Sequence, residues 1–435
     1  MLGAELLWLL PILLFAVMLL LVVIGTPVAF ALVLTSMSIV TLDPRLQMWT
    51  VFQRMFNGMN SFVLLAIPLF LLAGNLMNNA NITSRLITLA RHLVGHIKGA
   101  LAHVNVLVSM LFAGVSGSST ADSAGIGTVL IPAMVKQGYP KALSVSVTAA
   151  SSVMGIIIPP SINMIVWGAL TNTSVAAMFL GGFIPGVMIA GGQMALNVFL
   201  VKKYDVPVYR RSTLKEIFTS GRDGMLAAGI PIIIIGGLVA GIVSPTEAAV
   251  TAVLYSLILG VFVYKDLDTR KIIKSGRDTV KLSSLSLFSL VAASVFGYLI
   301  SFYKIPDLLL QNMPAQNTTA LLLVMVFVML VIGTFMDALP AMAILAPLFM
   351  PLVRAAGIHP VHFGLIAVMA LGLGLVTPPY GLCLMISAKI GNISMVRAFR
   401  TTLAYLAIML VIIVIIVLLP DTVMLLPRLL VPDFI

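Results

Sequence analysis

Charge and cysteine are both scarce in this sequence. Only 9% of its 435 residues are charged and 60% are hydrophobic, with a mean hydropathy of +1.15. That leaves too little polar material to cover a soluble domain. Cys383 is the single cysteine, which excludes an internal disulfide and a cysteine metal cluster. Set among apolar residues, it reads as an inert buried thiol. No GxxxxGK[ST] phosphate loop occurs, so no ATP-driven engine is visible in the chain. No basic stretch precedes the first apolar run, "MLGAELLWLLPILLFAVMLLLVVIG", which reads as a retained helix rather than a signal peptide. His359 and His362 form an HxxH with no acidic or thiolate ligand nearby, and read as surface histidines in a loop. The net charge of +11 fits basic loops against an anionic cytoplasmic leaflet of membrane lipids better than a nucleic-acid surface.

Apolar runs fill most of the chain, and a spanning helix needs about 20 apolar residues. Hydrocarbon excludes an open sheet, and the alternation expected of a barrel is absent. The fold class is therefore an all-α polytopic membrane protein. It also carries an internal repeat. At an offset of 219 residues Gly114 meets Gly333, Pro132 meets Pro351, Gly138 meets Gly357, Gly155 meets Gly374, and Pro159–Pro160 meet Pro378–Pro379. One inserted residue then aligns Ser174 with Ser394 and Phe179 with Phe399. The halves are roughly 1–220 and 221–435.

Each half accommodates five crossings and one re-entrant hairpin. The first half places crossings at about 6–25, 27–42, 61–78, 142–171 and 176–200, with a hairpin near 105–135. The second places them at about 225–243, 246–264, 284–303, 363–390 and 401–419, with a hairpin near 320–350. Five is odd, so the second half starts from the opposite face, which makes an inverted-topology repeat. With the N-terminus outside, 20 of the 25 basic residues fall on the cytoplasmic side, including two clusters in the segments 202–222 and 265–281.

Both broken crossings carry a double proline: "GIIIPPSINM" at 155–164 and "GLVTPPYGLC" at 374–383. Proline has no N–H, so the carbonyls of Gly155 and Ile156, and of Gly374 and Leu375, are expected to lose their helical partners. Exposed carbonyls suit a small cation, and the amides of the restarting half-helix suit an anion. Short broken segments at matching places in two halves point to a transporter binding site. The hairpin segments "FAGVSGSSTADSAGIG" (112–127) and "VIGTFMDALPAMA" (331–343) are small and polar, and each holds one carboxylate, Asp122 or Asp337. Intramembrane carboxylates are functional candidates, with helix capping as the structural alternative. They are not repeat equivalents, because Asp337 faces Ser118 and Asp122 faces Ala341. Glu247, in "SPTE", has the form of a capping box with Ser244. Asn163, just past the first break, is a substrate candidate whose counterpart Leu382 is apolar.

The segments "GVSGSSTADSAGIGTVLIPAMVKQGYPKALS" (114–144), "GIIIPPSINMIVWG" (155–168), "GLVAGIVSPTEAAVTAVLY" (237–255) and "LGLGLVTPPYG" (371–381) resemble the large membrane subunit of tripartite ATP-independent periplasmic (TRAP) transporters. The resemblance runs through essentially the whole chain. It implies a non-enzymatic, sodium-driven importer of organic anions, such as sialic acid or C4-dicarboxylates, in the bacterial inner membrane. It also implies a periplasmic substrate-binding protein and a small four-helix membrane subunit. No four additional helices precede Leu6, so that subunit is expected as a separate chain. The implied mechanism is an elevator whose moving elements are about 100–175 and 318–395. By motif, one sodium site takes Ser118 and Ser119 with carbonyls of Gly155, Ile158 and Pro160. The other takes Gly333, Asp337, Gly374, Thr377 and Pro378. Substrate lies near Ser119, Thr120, Asn163 and Tyr380. A reading from another class is a channel or membrane-embedded enzyme using Asp122 and Asp337 as a carboxylate pair. No nucleophile or metal motif accompanies those acids, and a channel does not need inverted hairpins.

Overall fold

The computed structural model describes residues 9–312 and 317–432, and among these every regular element is helical. Among the described residues seven helices are long and apolar enough to cross a membrane: Phe62–Asn79, Val175–Val201, Gly221–Val239, Pro245–Val263, Thr269–Phe302, Ala338–Ala355 and Met395–Leu418. The protein is an all-α, multi-pass membrane protein. The expected start of the first crossing at residue 6 lies outside the described residues; within them the first helix runs Leu10–Val23.

Two helical hairpins form where small residues and glycine interrupt apolar runs. The first joins Ala100–Ser116 to Ser119–Lys136, and Gly117 turns the corner in the left-handed region at φ +62°. The second joins Thr318–Gly333 to Ala338–Ala355. Two helices break at the double prolines. Lys141–Ser152 tightens into a 3-10 turn at Val153–Ile156, passes Pro159–Pro160, and restarts as Ile162–Thr171 with Ser161 as N-cap. Pro360–Gly374 likewise restarts as Leu382–Gly391. Both Pro–Pro peptide bonds are cis.

These broken elements occupy the centre. Ala338–Ala355 is 78% buried over its apolar window, whereas Gly221–Val239, on the periphery, is 28% buried. The two broken helices pack on each other through Trp167 and Phe363, whose ring centroids are 5.7 Å apart. Gly364 permits this contact, because a Cβ there would lie 2.5 Å from the Trp167 indole nitrogen.

Two expectations need correction. The basic clusters are not wholly loops: helices start at Leu214 and Thr269 and carry Lys215, Arg222, Arg270, Lys271, Lys274, Arg277 and Lys281. The 34-residue helix Thr269–Phe302 is about 50 Å long, well beyond a hydrocarbon core of about 30 Å, so its basic first turns extend the span rather than interrupt it. His362 is not at the surface: it is 4% exposed, and its Nε2 lies 2.9 Å from the Ile416 carbonyl. Its helix begins at Pro360, earlier than the hydropathy suggested, and turns that ring inward. Glu247 forms the expected capping box, accepting from the Ser244 amide at 2.7 Å while Ser244 Oγ accepts from Glu247 N at 3.3 Å.

Outside the helices, Asp43 ties the Val28–Leu42 helix to the end of Thr269–Phe302. It accepts from Arg45 Nε at 2.9 Å, Arg45 Nη2 at 2.7 Å and the Tyr303 hydroxyl at 2.9 Å. These bonds, the Arg45 side chain first, hold the Asp43 carboxyl down at about 2.

Candidate functional site

At the first break the hairpin turn and the Pro–Pro segment interlock. The Ile162 amide donates to the Gly117 carbonyl at 3.3 Å, and Ser119 Oγ donates to the Val153 carbonyl at 3.3 Å. Ser118 caps the second hairpin helix, accepting from Ala121 N at 3.5 Å. Gly155 sits so close to this turn that a Cβ would fall 2.9 Å from Ser119 N, 3.0 Å from the Ser118 carbonyl carbon and 2.5 Å from Asp122 Oδ2. Asp122 is fully buried. Ser116 Oγ donates to its Oδ1, and its Oδ2 has no hydrogen-bond partner among the described residues. Ser118, Ser119, Gly155 and Pro160 are thus brought together. The Ile158 side chain points elsewhere, packing against Gly186 and lining an apolar groove with Gly114 and Pro231.

The second break is built alike. The Tyr380 amide donates to the Thr334 carbonyl of the second hairpin turn at 2.9 Å. Gly333 and Gly374 are in backbone contact, and a Cβ on Gly374 would overlap the Gly333 carbonyl at 2.1 Å. Asp337 caps Ala338–Ala355, with Oδ1 accepting from Ala338 N at 2.8 Å. Thr377 faces away from Asp337: its hydroxyl donates to the Leu373 carbonyl at 2.8 Å, and it lines a lateral groove with Phe399 and Leu403.

The carbonyls expected to be orphaned are largely partnered. Ile156 O accepts from Ser161 Oγ at 2.6 Å. Gly374 O accepts from Thr377 N at 3.1 Å, and Leu375 O from Cys383 N at 2.9 Å. The Ser161 hydroxyl and the Cys383 amide, beyond the prolines, and the Thr377 amide, just before them, replace the missing helical donors. A carbonyl oxygen has two acceptor positions, so a single bond leaves room for a cation.

The two breaks frame a cavity. Its inner part, about 80 Å³, is lined by Ser118, Ser119, Thr120, Asn163 and Asp337. An outer part of about 540 Å³ shares Thr120 and Asp337 and adds Tyr380, Thr26 and Pro27. All four sequence-derived substrate candidates therefore line one or other part, and the two parts share Thr120, Leu282, Ser286, Asp337 and Leu339. Asp122 lines neither part, so the two carboxylates form no pair. Leu282 and Ser286 line both parts and Ser289 the outer one, and sequence reasoning missed all three. Their signal was the run of serines at 283, 284, 286 and 289 in an otherwise apolar helix.

Residues 15–422 match the family model described as "Tripartite ATP-independent periplasmic transporter, DctM component". The chain belongs to this family. It is 35% identical over 407 residues to the sialic acid TRAP transporter large permease protein SiaM of Vibrio cholerae, covering 93% of this chain and 95% of that protein. It is 34% identical to the C4-dicarboxylate TRAP transporter large permease protein DctM of Pseudomonas aeruginosa, covering 86% and 88% respectively. The crystal structure of the Alcanivorax borkumensis YdaH transporter superposes with a TM-score of 0.56 over 85% of this chain and 86% of its own, at 15% identity, a likeness of fold. This TRAP-family chain is a secondary transporter of the bacterial inner membrane, not an enzyme. The family works with a periplasmic substrate-binding protein and a small membrane subunit.

Proposed function

We propose that this chain imports an organic anion by sodium coupling. A periplasmic binding protein delivers the substrate, and a small four-helix membrane subunit accompanies the transporter. The reading rests on one observation above the rest. In both halves an amide just beyond a double proline donates to the turn of a hairpin, Ile162 to Gly117 and Tyr380 to Thr334, so each hairpin tip is fastened to a broken helix beside one cavity. Helix starts support a repeat of 1–220 and 221–435, which the odd number of crossings in each half inverts: Lys141 and Pro360 are 219 residues apart, and Val175 and Met395 are 220 apart. The hairpins are re-entrant, and the elements 100–175 and 318–395 move as an elevator against the remaining helices.

The first cation site takes Ser118, Ser119 and the carbonyls of Gly155, Ile158 and Pro160. Asp122 supplies the negative charge from beside Gly155, because its Oδ2 lacks any other partner among the described residues. The second takes Gly333, Gly374, Thr377 and Pro378. Asp337 belongs to the substrate cavity rather than to that set, since Thr377 faces the opposite way. Oxygen ligands without nitrogen or sulfur suit a small hard cation. Uptake into proteoliposomes holding this chain, the small subunit and liganded binding protein tests the coupling. Replacing external sodium by potassium is expected to abolish uptake; undiminished uptake would exclude sodium as the obligatory ion.

A further inference from the structure

The two lateral grooves occupy repeat-related positions, and they differ in what walls them. Leu111, Ile158, Phe183 and Val187 line the first. Leu330, Thr377, Leu403 and Ala407 line the second, at the same offsets of 219 and 220 residues. Ala228, Pro231, Ile232 and Ile235 of Gly221–Val239 supply a further wall of the first groove. The second, about 490 Å³, is lined only by the second hairpin, the second broken helix and Met395–Leu418, and no further helix among the described residues lines it. Its hydroxyls are already engaged: Thr377 donates to the Leu373 carbonyl at 2.8 Å and Thr334 to the Val331 carbonyl at 2.7 Å. The rest of the lining is apolar, and Val331 and Leu403 are 42% and 50% exposed. From Phe399 to Leu410 the wall runs about 16 Å along its helix. That is close to one leaflet of a hydrocarbon core of about 30 Å.

One end of this groove is basic. Arg400 lies on the same line of Met395–Leu418 as Leu403, Ala407 and Leu410, at spacings of three, seven and ten residues, and Arg397 lies one turn earlier. Both arginines are exposed, and neither side chain makes a hydrogen bond or ion pair among the described residues. No Asp or Glu occurs anywhere in residues 338–420. Met395–Leu418 is about 36 Å long, so Arg400, in its second turn, stands at the level of lipid headgroups. On the inverted map proposed above, that is the cytoplasmic end. We infer that the groove seats one acyl chain of an anionic phospholipid whose phosphate pairs with Arg397 and Arg400. The depth and apolar lining select hydrocarbon, and the unpaired guanidinium groups select a negative headgroup. Seated there, the chain spans Leu330 and Thr334 of the hairpin, Leu373 and Thr377 of the broken helix, and Met395–Leu418. It takes the place in the second half that Gly221–Val239 fills in the first.

The test is quenching of a tryptophan placed in the groove, Leu403→Trp, by brominated acyl chains. The full-length chain with its small subunit is reconstituted in vesicles of equal parts phosphatidylglycerol and phosphatidylcholine, with the dibrominated chains carried by one lipid or the other. The unmutated protein, with its 3 tryptophans, gives the background. Phosphatidylglycerol is expected to be preferred about fivefold, the factor that one basic side chain at a membrane surface supplies. In Arg397→Gln/Arg400→Gln the preference is expected to vanish while quenching itself persists, because the apolar lining is untouched. Val411→Trp, on the same helix but outside the groove lining and 59% exposed, reports bulk lipid and is expected to show no preference in either background. Leu410→Trp reports the same groove if Leu403→Trp folds poorly. Absence of quenching at both groove positions would mean that the small subunit or a second copy of this chain covers the groove, and would overturn the inference. So would equal quenching by the two lipids, a preference that survives both arginine changes, or one that Val411→Trp shows equally.

Discussion

Gly155→Ala is a one-methyl probe of the first cation site. The added Cβ would meet Asp122 Oδ2 at 2.5 Å, Ser119 N at 2.9 Å and the Ser118 carbonyl carbon at 3.0 Å. Two of these atoms are backbone, fastened by the bond from Ile162 N to Gly117 O and by the Ser118 cap, so they cannot rotate aside. The hairpin tip must therefore move off the break, and the oxygens of the two segments separate. Overpacking of this kind costs about 1–3 kcal/mol. If the cost falls on the cation-bound arrangement, sodium affinity drops roughly 5- to 150-fold. The readout is the sodium concentration giving half-maximal thermal stabilisation, with expression and monodispersity as controls. Gly191→Ala is the matched control: it lies in the exposed face of Val175–Val201, where a Cβ would meet nothing within 4 Å. That change is expected to be silent or slightly stabilising, by up to about 1 kcal/mol. A well-folded Gly155→Ala protein with an unchanged sodium curve would refute the placement of a cation between Gly155 and the hairpin turn.

Two further outcomes follow from the rest of the structure. Single-cysteine variants Lys215→Cys and Lys274→Cys, each in a Cys383→Ser background, are expected to resist an impermeant maleimide in intact cells; rapid labelling of either would overturn the inverted map. Asp43→Asn is expected to cost about 1–2 kcal/mol, because it removes the charge that Arg45 and Tyr303 surround. The carboxyl's folded value is lowered to about 2, so its contribution is complete above its ordinary value near 3.8 and lost as pH falls through about 2. Thermal denaturation between pH 7 and 5 should therefore show the full difference between Asp43→Asn and the unmutated protein, and a difference that vanished by pH 5 would refute the assignment.

Much of the architecture was legible before any coordinates. Hydropathy alone forced helices, because hydrocarbon leaves backbone groups no other partner. The recurrence of glycine and proline at one offset located both breaks and both hairpin turns to within a few residues. These residue types act locally: a proline removes its own donor and a glycine opens its own torsion, wherever the chain later goes. The same local character made Ser244 and Glu247 readable as a cap.

What the sequence could not determine was the partner of each freed group and the direction of each side chain. The carbonyls of Ile156, Gly374 and Leu375 find donors in Ser161, Thr377 and Cys383, a pairing set by how the chain folds around each double proline. Ile158 and Thr377 carry motif positions yet turn their side chains into lateral grooves. Leu282 and Ser286 reach the cavity because a helix 120 residues beyond Asn163 lies across it, and no local pattern encodes that meeting. By itself the sequence determined where helices must form and where they must break, since both follow from local donors, torsions and solvent. Only the tertiary structure decided which carboxylate stands beside Gly155 and which lines the cavity with Asn163, because that depends on contacts between segments far apart in the chain.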